Sequence, residues 1–352
     1  MRIEEHTALV ADVGGTHARF AIVDESGTAA PRVIAKVACA NYVDLYSAIA
    51  EQLDAMPEQS RPRRAAIAVA AVVSSDRVKL TNLKWEFSVQ ALKHQLDLDE
   101  LLLLNDFEAL AWSLPHLRAE DLRQVGGGAS RIRGPRAVIG PGTGLGVSGL
   151  IPSRGGWAAI RGEGGHVSFS PVDERENAIL ASVWNRFPHV SAERLVSGIG
   201  LPVLHQAVCE VDGHRFRDFS TAEIVQRALD GTDPGCASTV DTFCAMLGTI
   251  AGNLALTLGA TGGVFIGGGI VPRLGDAFER SAFRERFEAK GRFTAHNAAI
   301  PTHVIVADTP ALVGAAAALA DLVPEDGEQG AQERPVLRPM RSRLAAKEPT
   351  TE

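Results

Sequence analysis

Four consecutive leucines, Leu101 to Leu104, run directly into Asn105-Asp106-Phe107-Glu108-Ala109-Leu110. An unbroken apolar run of that length reads as a short strand buried on both faces, which belongs in a sheet with helices on either side. From Ala109 through Leu110 to Trp112 the spacing becomes helical. A layered α/β fold is the frame this sets, and ligand crevices in such folds open at the carboxyl ends of strands. Asp106 stands at one of those ends and is a candidate working carboxylate. Asn and Asp are also preferred N-caps, so capping of the following helix competes for the same residue.

The chain before this point supplies the rest of a sheet. Residues 8–13 form an apolar strand interrupted by Asp12, Gly14-Gly15-Thr16 a turn, and residues 19–23 a returning strand. Strands over 33–38, 65–73 and 78–80 and helices over 45–53 and 89–96 complete a βββαβ…αβα order, a mixed sheet covered by helices. The second half begins in the same way: a strand over 137–140, a turn at Pro141-Gly142-Thr143-Gly144, and a returning strand over 145–151. Two related halves, each offering a Gly-Thr turn, are expected. Helices dominate 174–258, a strand runs over 262–270 into a glycine loop, and a last strand (302–307) and Ala-rich helix (311–322) close the chain.

Composition removes several classes of function. A formal net charge of -7 lacks the basic footprint of a nucleic-acid binder. Arg61, Arg63 and Arg64, beside Pro57 and Pro62, read as an exposed loop. The charge-free stretch from Thr242 to Pro272 is long enough to cross a bilayer. Its threonines, Asn253 and glycines fit better with a core helix of about 17 residues followed by a turn and a buried strand. Gly248 and Gly252 on that helix allow another backbone to approach. Four scattered cysteines without metal spacing, and no signal-peptide pattern at the amino terminus, favour the cytoplasm.

Glycine-rich turns converge backbone N–H groups on an anion, and an adjacent Thr hydroxyl adds a donor. Gly14-Gly15-Thr16 and Gly142-Thr143-Gly144 both have that chemistry, although glycines in a single hairpin turn usually serve only the turn. Asp12 precedes the first turn, and a carboxylate beside phosphate oxygens commonly works through Mg²⁺. No GxxxxGK[ST] is present, and the GxGxxG match at Gly144 to Gly149 opens no helix, so neither the P-loop nor the dinucleotide fingerprint applies. In Arg161-Gly162-Glu163-Gly164-Gly165-His166 an acid and an imidazole lie between glycines, and Glu193 opens a helix nearby. Such groups suit a small polyol, whose hydroxyls both donate and accept. Glu163 and His166 as half a metal site lack further ligands, and Glu193 serves equally well as a helix-dipole partner.

Asp12-Val-Gly-Gly-Thr-His-Ala-Arg19, Asn105-Asp106, Gly140-Pro-Gly-Thr-Gly-Leu-Gly146, Gly162-Glu-Gly-Gly-His166 and Gly263-Val-Phe-Ile-Gly-Gly-Gly-Ile-Val-Pro-Arg273 occur in this order. The combination resembles the bacterial glucokinase family of the actin/hexokinase/Hsp70-like ATPases, from about Leu9 to Leu322. The resemblance implies a two-domain α/β protein of the actin-like ATPase (ribonuclease H-like) fold, mixed sheets flanked by helices around a cleft. Residues 1–116 with 307–323 would form the small domain and 117–306 the large one; residues 324–352, rich in Pro, Glu, Gln and Arg without periodicity, read from composition as a disordered tail. It implies ATP with Mg²⁺ held at Ala11, Asp12, Val13, Gly14, Gly15 and Thr16 on one side and Gly142, Thr143, Gly144 and Gly268 on the other, Asp12 being the metal-side carboxylate. It further implies that Asn105, Asp106, Glu163, His166 and Glu193 hold glucose, that Asp106 is the general base for phosphorylation of the 6-hydroxyl, and that the protein is a homodimer. A kinase for another hexose or amino sugar, or a non-catalytic sugar sensor, are the alternatives. His17 replaces the family's usual Asn, Ala71-Val72-Val73-Ser74 lacks its usual Pro, and the tail has no counterpart. The Cys-rich zinc motif of ROK kinases is absent from the sequence.

Overall fold

The computed structural model describes residues 7–322 except 25–29, 82 and 155. The expected tail lies outside the described residues. The first half runs β1 (Thr7–Val13), β2 (His17–Asp24), β3 (Arg32–Ala38), α1 (Leu45–Asp54), β4 (Arg64–Val69), β5 (Arg77–Lys79), β6 (Glu86–Ser88), α2 (Val89–Gln95), β7 (Glu100–Asn105) and α3 (Asp106–Ser113). The second begins β8 (Leu122–Gln124), β9 (Arg136–Pro141), β10 (Leu145–Pro152) and β11 (Trp157–Ile160). Helices α4 (Glu174–Trp184), α5 (Ala192–Leu195), α6 (Leu201–Asp212), α7 (Thr221–Leu229) and α8 (Pro234–Leu258) follow. The chain ends β12 (Val264–Ile266), α9 (Val271–Leu274), α10 (Asp276–Glu279), α11 (Phe283–Glu288), α12 (Thr294–Ala299), β13 (Thr302–Ile305) and α13 (Pro310–Asp321).

The two main sheets repeat one plan. Their strand orders are β3-β2-β1-β4-β7 and β11-β10-β9-β12-β13-β8. Each contains three antiparallel strands consecutive in the chain, β1, β2 and β3 in one and β9, β10 and β11 in the other; the second sheet also carries β8, which precedes its trio and pairs antiparallel with β13. The first strand of each trio then pairs in parallel with a later strand, which pairs in parallel with the next: β1-β4-β7 and β9-β12-β13. The likeness of the two Gly-Thr turns is therefore topological, because each joins the first two strands of its antiparallel trio.

Side-chain alternation assigns the layers. Leu9, Ala11 and Val13 of β1 pack with α1 residues Leu45, Ala48 and Ile49 on one face of the first sheet. On its other face, Ala8, Val10, Ala66 and Leu104 meet Ala109 of α3 and Leu312, Ala315 and Leu319 of α13. The opposite side of α3, through Leu110, Ala111 and Leu114, packs on Val138, Leu150, Phe265 and Ile305 of the second sheet. Helix α3 is thus sandwiched between the sheets, and its amino end carries Asp106. Gly314 makes the close helix pair possible, since a Cβ there would overlap the Ala109 carbonyl. The far face of the second sheet is covered by the large cluster built on α4, α6, α8 and α11.

Several expectations shift in extent. The leucine strand has helices on both faces but is an edge strand, which leaves Leu101 and Leu102 half-buried. The strand expected over 65–73 stops at Val69, where its partners Val13 and Asn105 also end. The one expected over 262–270 shrinks to Val264–Ile266, bounded by Gly263 and Gly268 at φ +115° and +79°. The charge-free helix is α8, longer than expected at 25 residues and starting at Pro234 behind the Asp233 cap. It alone among the described residues is long and apolar enough to cross a membrane, yet 72% of that window is buried inside the protein. A Cβ on Gly248 or Gly252 would run into the backbone of α11 at Phe283 or Phe287, the close approach their spacing foretold. Arg64 lies in β4 paired with Glu100, Arg63 holds Asp97 and Asp99, and Arg61 pairs with Asp54, so all three arginines are engaged in ion pairs.

Candidate active site

Asn105, rather than Asp106, caps α3. The Asn105 Oδ1 accepts from the N–H groups of Phe107 (2.9 Å) and Glu108 (3.3 Å), and its Nδ2 donates to the Ala71 carbonyl at 3.1 Å. Asp106 is the first helical residue and, apart from a local 3.0 Å bond from the Phe107 N–H, is not consumed by the cap. Its carboxyl is pushed up from the ordinary carboxylate range to about 6, chiefly by burial; the Phe107 N–H opposes this, and the charges of Asp12 and Glu163 add to it. Those charges bring together three acids from β1, the start of α3 and the loop after β11. A half-buried carboxylate that holds its proton this tightly is poised to accept one near neutral pH.

The first turn leaves β1 at Gly14, whose N–H donates to the His17 carbonyl at 3.0 Å. Cys39 secures it from the side: its N–H donates to the Thr16 carbonyl (2.9 Å) and its thiol approaches the Gly14 carbonyl (3.5 Å). Thr16 and His17 are exposed. Asp12 lies on the β1 face opposite Ala11 and Val13, whose side chains are fully buried, so those two can reach a ligand only through backbone. Burial raises the Asp12 carboxyl, opposed by the Arg19 guanidinium at 3.3 Å. A single carboxylate beside a phosphate-type turn fits Mg²⁺ that arrives with a nucleotide, because that ion keeps waters and takes few protein ligands. Among the described residues no group of three or more His, Cys, Asp or Glu is arranged to hold a resident metal.

The second turn is clamped from outside. Gly198 and Ile199 donate to the carbonyls of Gly142 (2.8 Å) and Thr143 (3.1 Å), and the Gly142 N–H donates to Gly144 (2.9 Å). The glycine loop after β12 folds against it: a Cβ on Gly268 would meet the Pro141 carbonyl, and the Ile270 N–H donates to that carbonyl at 3.3 Å. Glu193 is tied to this turn as well, its Oε2 accepting from the Leu145 N–H at 2.9 Å, with no room for a side chain at Gly144. Helix α5 is capped by Ser191, which leaves the Glu193 carboxylate for the site. Oε1 of Glu193 lies 3.8 Å from His166 Nδ1. His166 closes a single 3₁₀ turn whose Gly165 passes directly over the Leu145 carbonyl. Glu163 and Asn105 line one cavity of about 230 Å³ with Val72, Ser74, Glu108 and Arg161. The predicted residues thus fall into adjoining sets: Asn105 with Glu163, Asp106 with Asp12, and His166 with Glu193 beside the second turn.

Sequence reasoning does not single out Phe107, yet its ring sits where Cβ atoms of Gly140 and Gly146 would stand. Glycine inside a strand is the signal for such an approach. Nor does it single out the clamp at Gly198 and Ile199, for which the sequence offers no local sign.

A duplicated mixed sheet, with a glycine turn from each copy and a helix-start acid between them, is the actin-like ATPase fold. Comparison with known proteins narrows the class. A family profile described as Glucokinase matches residues 9–322. The chain is 51% identical over 313 residues to a glucokinase of Chromobacterium violaceum, covering 89% of each, and 48% identical to one of Aromatoleum aromaticum, covering 90% of this chain and 95% of that one. Among solved structures it superposes on a glucokinase from an Antarctic psychrotroph with TM-score 0.82 and 36% identity, covering 89% of this chain and 98% of the other. The Balamuthia mandrillaris glucokinase in complex with glucose, at TM-score 0.72 and 20% identity, covers 89% of this chain and 93% of its own and shares the fold. The chain belongs to the bacterial glucokinase family.

Proposed function

We propose that the protein transfers the γ-phosphoryl group of ATP to the 6-hydroxyl of D-glucose, with Asp106 as general base. The observation that supports this most is the Asp106 carboxyl, raised to about 6 by burial at the strand end that opens α3. In this reading the sugar lies against Asn105, Glu163, His166 and Glu193, whose acceptors and imidazole suit hydroxyls that donate and accept. Asp106 takes the 6-hydroxyl proton as that oxygen attacks phosphorus. The backbone N–H groups of the turns at Gly14–Thr16 and Gly142–Gly144 orient the phosphates, and Thr16 and Thr143 hydroxyls add donors. Mg²⁺, held on the Asp12 side, supplies charge neutralisation when bound. Positioning and electrostatics carry most of the acceleration in such transfers.

The two repeats, residues 1–116 with 307–323 and residues 117–306, act in this reading as domains that close on the sugar and exclude water as a competing acceptor. A homodimer, implied by resemblance, is tested by light scattering at assay concentration. Cytoplasmic placement agrees with four free, buried cysteines. The direct test of the reaction is coupled ADP release with glucose, fructose, mannose and N-acetylglucosamine side by side. Glucose should give the highest kcat/KM. Preference for another of these sugars reassigns the substrate, and release with none of them leaves only a binding role.

A further inference from the structure

Glu108 is one of three buried acids among the described residues, at 4% exposure, and no capping role explains it. Asn105 already caps α3, accepting from the Glu108 N–H itself. Oε1 of Glu108 instead accepts from Nε of Arg161 at 2.8 Å, across 53 positions of sequence. The partners are unequal: the Arg161 side chain is 63% exposed and the Glu108 side chain 5%.

The position of the pair is more informative than its strength. Glu108 is two residues beyond Asp106 on the first turn of α3. Arg161 is two residues before Glu163 and five before His166. Arg161, Gly162 and Glu163 belong to no helix or strand and are exposed, just past the end of the edge strand β11. The Ser148 hydroxyl holds the preceding residue through the Ile160 carbonyl at 2.8 Å, and Gly165 over Leu145 fixes the following turn. Between those points the Arg161 side chain ties the stretch to the helix that carries the base. Both partners also line the 230 Å³ cavity shared by Asn105 and Glu163, so the pair spans it from α3 to the loop. Surface ion pairs stabilise little. Here one partner is desolvated, which strengthens the attraction and makes loss of the arginine costly, because a buried carboxylate is left unpaired.

The geometry points to the Glu108–Arg161 pair as a positioning latch for the sugar side of the site. It holds residues 161–166 in register with α3, so that Glu163 and His166 face Asp106 at a fixed separation. Neither residue touches the reacting atoms; both act through the loop. The inference rests on the reading above that Glu163 and His166 bind the sugar. Its consequence is selective: glucose binding depends on the pair and nucleotide binding does not, since the two phosphate turns have their own clamps at Cys39 and at Gly198–Ile199.

The test is a double-mutant cycle on the full chain with Arg161→Met, Glu108→Gln and the double variant, with Arg161→Lys as a milder change and Glu163→Gln and Asp106→Asn as controls. Each single variant should raise glucose KM about tenfold and leave ATP KM within about twofold, and the double should be no worse than either single, because contacting residues are not additive. Arg161→Lys should recover most of the loss. Unchanged glucose KM in folded variants, with only a lower melting temperature, makes the pair a structural ion pair and overturns the proposal, as do independent, multiplying effects. Should Glu163→Gln also leave glucose KM unchanged while Asp106→Asn is inactive, the sugar-side assignment has failed and the latch falls with it. Normal KM in the latch variants beside a raised KM in Glu163→Gln refutes the latch alone.

Discussion

Asp106 gives the account its sharpest dependence on pH. Its folded pKa of about 6 lies above the ordinary Asp value of 3.8, so the folded protein binds this proton more tightly than the unfolded chain does. The stability associated with that proton is fully present below pH 3.8 and is lost as pH rises through about 6. Ionised Asp106 is therefore a cost to the folded state at neutral pH, borne at a site whose chemistry needs a base. Replacing it by Asn removes the charge, so the melting temperature of Asp106→Asn at pH 7.5 should equal or exceed that of the parent, as differential scanning fluorimetry will record. The same value sets the acid limb of activity: kcat/KM should fall about tenfold per pH unit below 6, because only the ionised carboxylate accepts the proton. An acid limb near pH 4 would contradict the burial-raised base. At this scale the sequence was informative wherever chemistry is written locally. Glu163 and His166 among glycines, and an Asp at the end of a leucine run, need no fold to be noticed. The Glu108–Arg161 pair could not be seen in that way, because the fold alone brings together residues 53 positions apart. The capping role went to Asn105 instead of Asp106, a one-residue shift that propensity cannot resolve, since both are good caps.

At the scale of elements, the placement of α3 depends on glycines in the strands beneath it. A Cβ on Gly146 would occupy the Phe107 ring, one residue from the base. Gly146→Ala should therefore displace the start of α3 and lower kcat sharply, with about 1–3 kcal/mol lost in denaturant unfolding, the usual cost of overpacking. Gly248→Ala makes a useful contrast. Its Cβ would collide with the Phe283 carbonyl between α8 and α11, far down the helical layer. Stability should fall comparably while the KM values and kcat of the folded fraction hold. Equal kinetic damage from both would mean that α3 has no special role. Long, periodic or unbroken apolar segments were legible: β1, β2, β7, α1 and α13 lie within a residue or two of their expected bounds. The strands β6, β8 and β11, of three or four residues with half-buried or exposed side chains, carry no alternation to read. Glycines and threonines mark the core helix in sequence but show only its later part, because Asp241 interrupts the apolar run without interrupting the helix.

The described residues form two sheets of one plan, the second extended by β8, with α3 packed between them and α13 packed on the first sheet and α3. That repeat was visible in sequence only as two Gly-Thr turns, since strand order is a tertiary property that local pattern does not encode. The family match ends at residue 322, so a chain truncated there should retain its kcat and melting temperature within error, as parallel kinetics and calorimetry will establish. The central claim is that the two turns and the Asp106 carboxylate form one phosphoryl-transfer site. Its most direct measurement is glucose-dependent ADP release by Asp106→Asn beside the parent, with glucose binding followed calorimetrically in the same preparations. ADP release should fall by about two to four orders of magnitude, as for loss of a positioned general base, with glucose affinity within a few-fold of the parent. Near-parental turnover in that variant would contradict it.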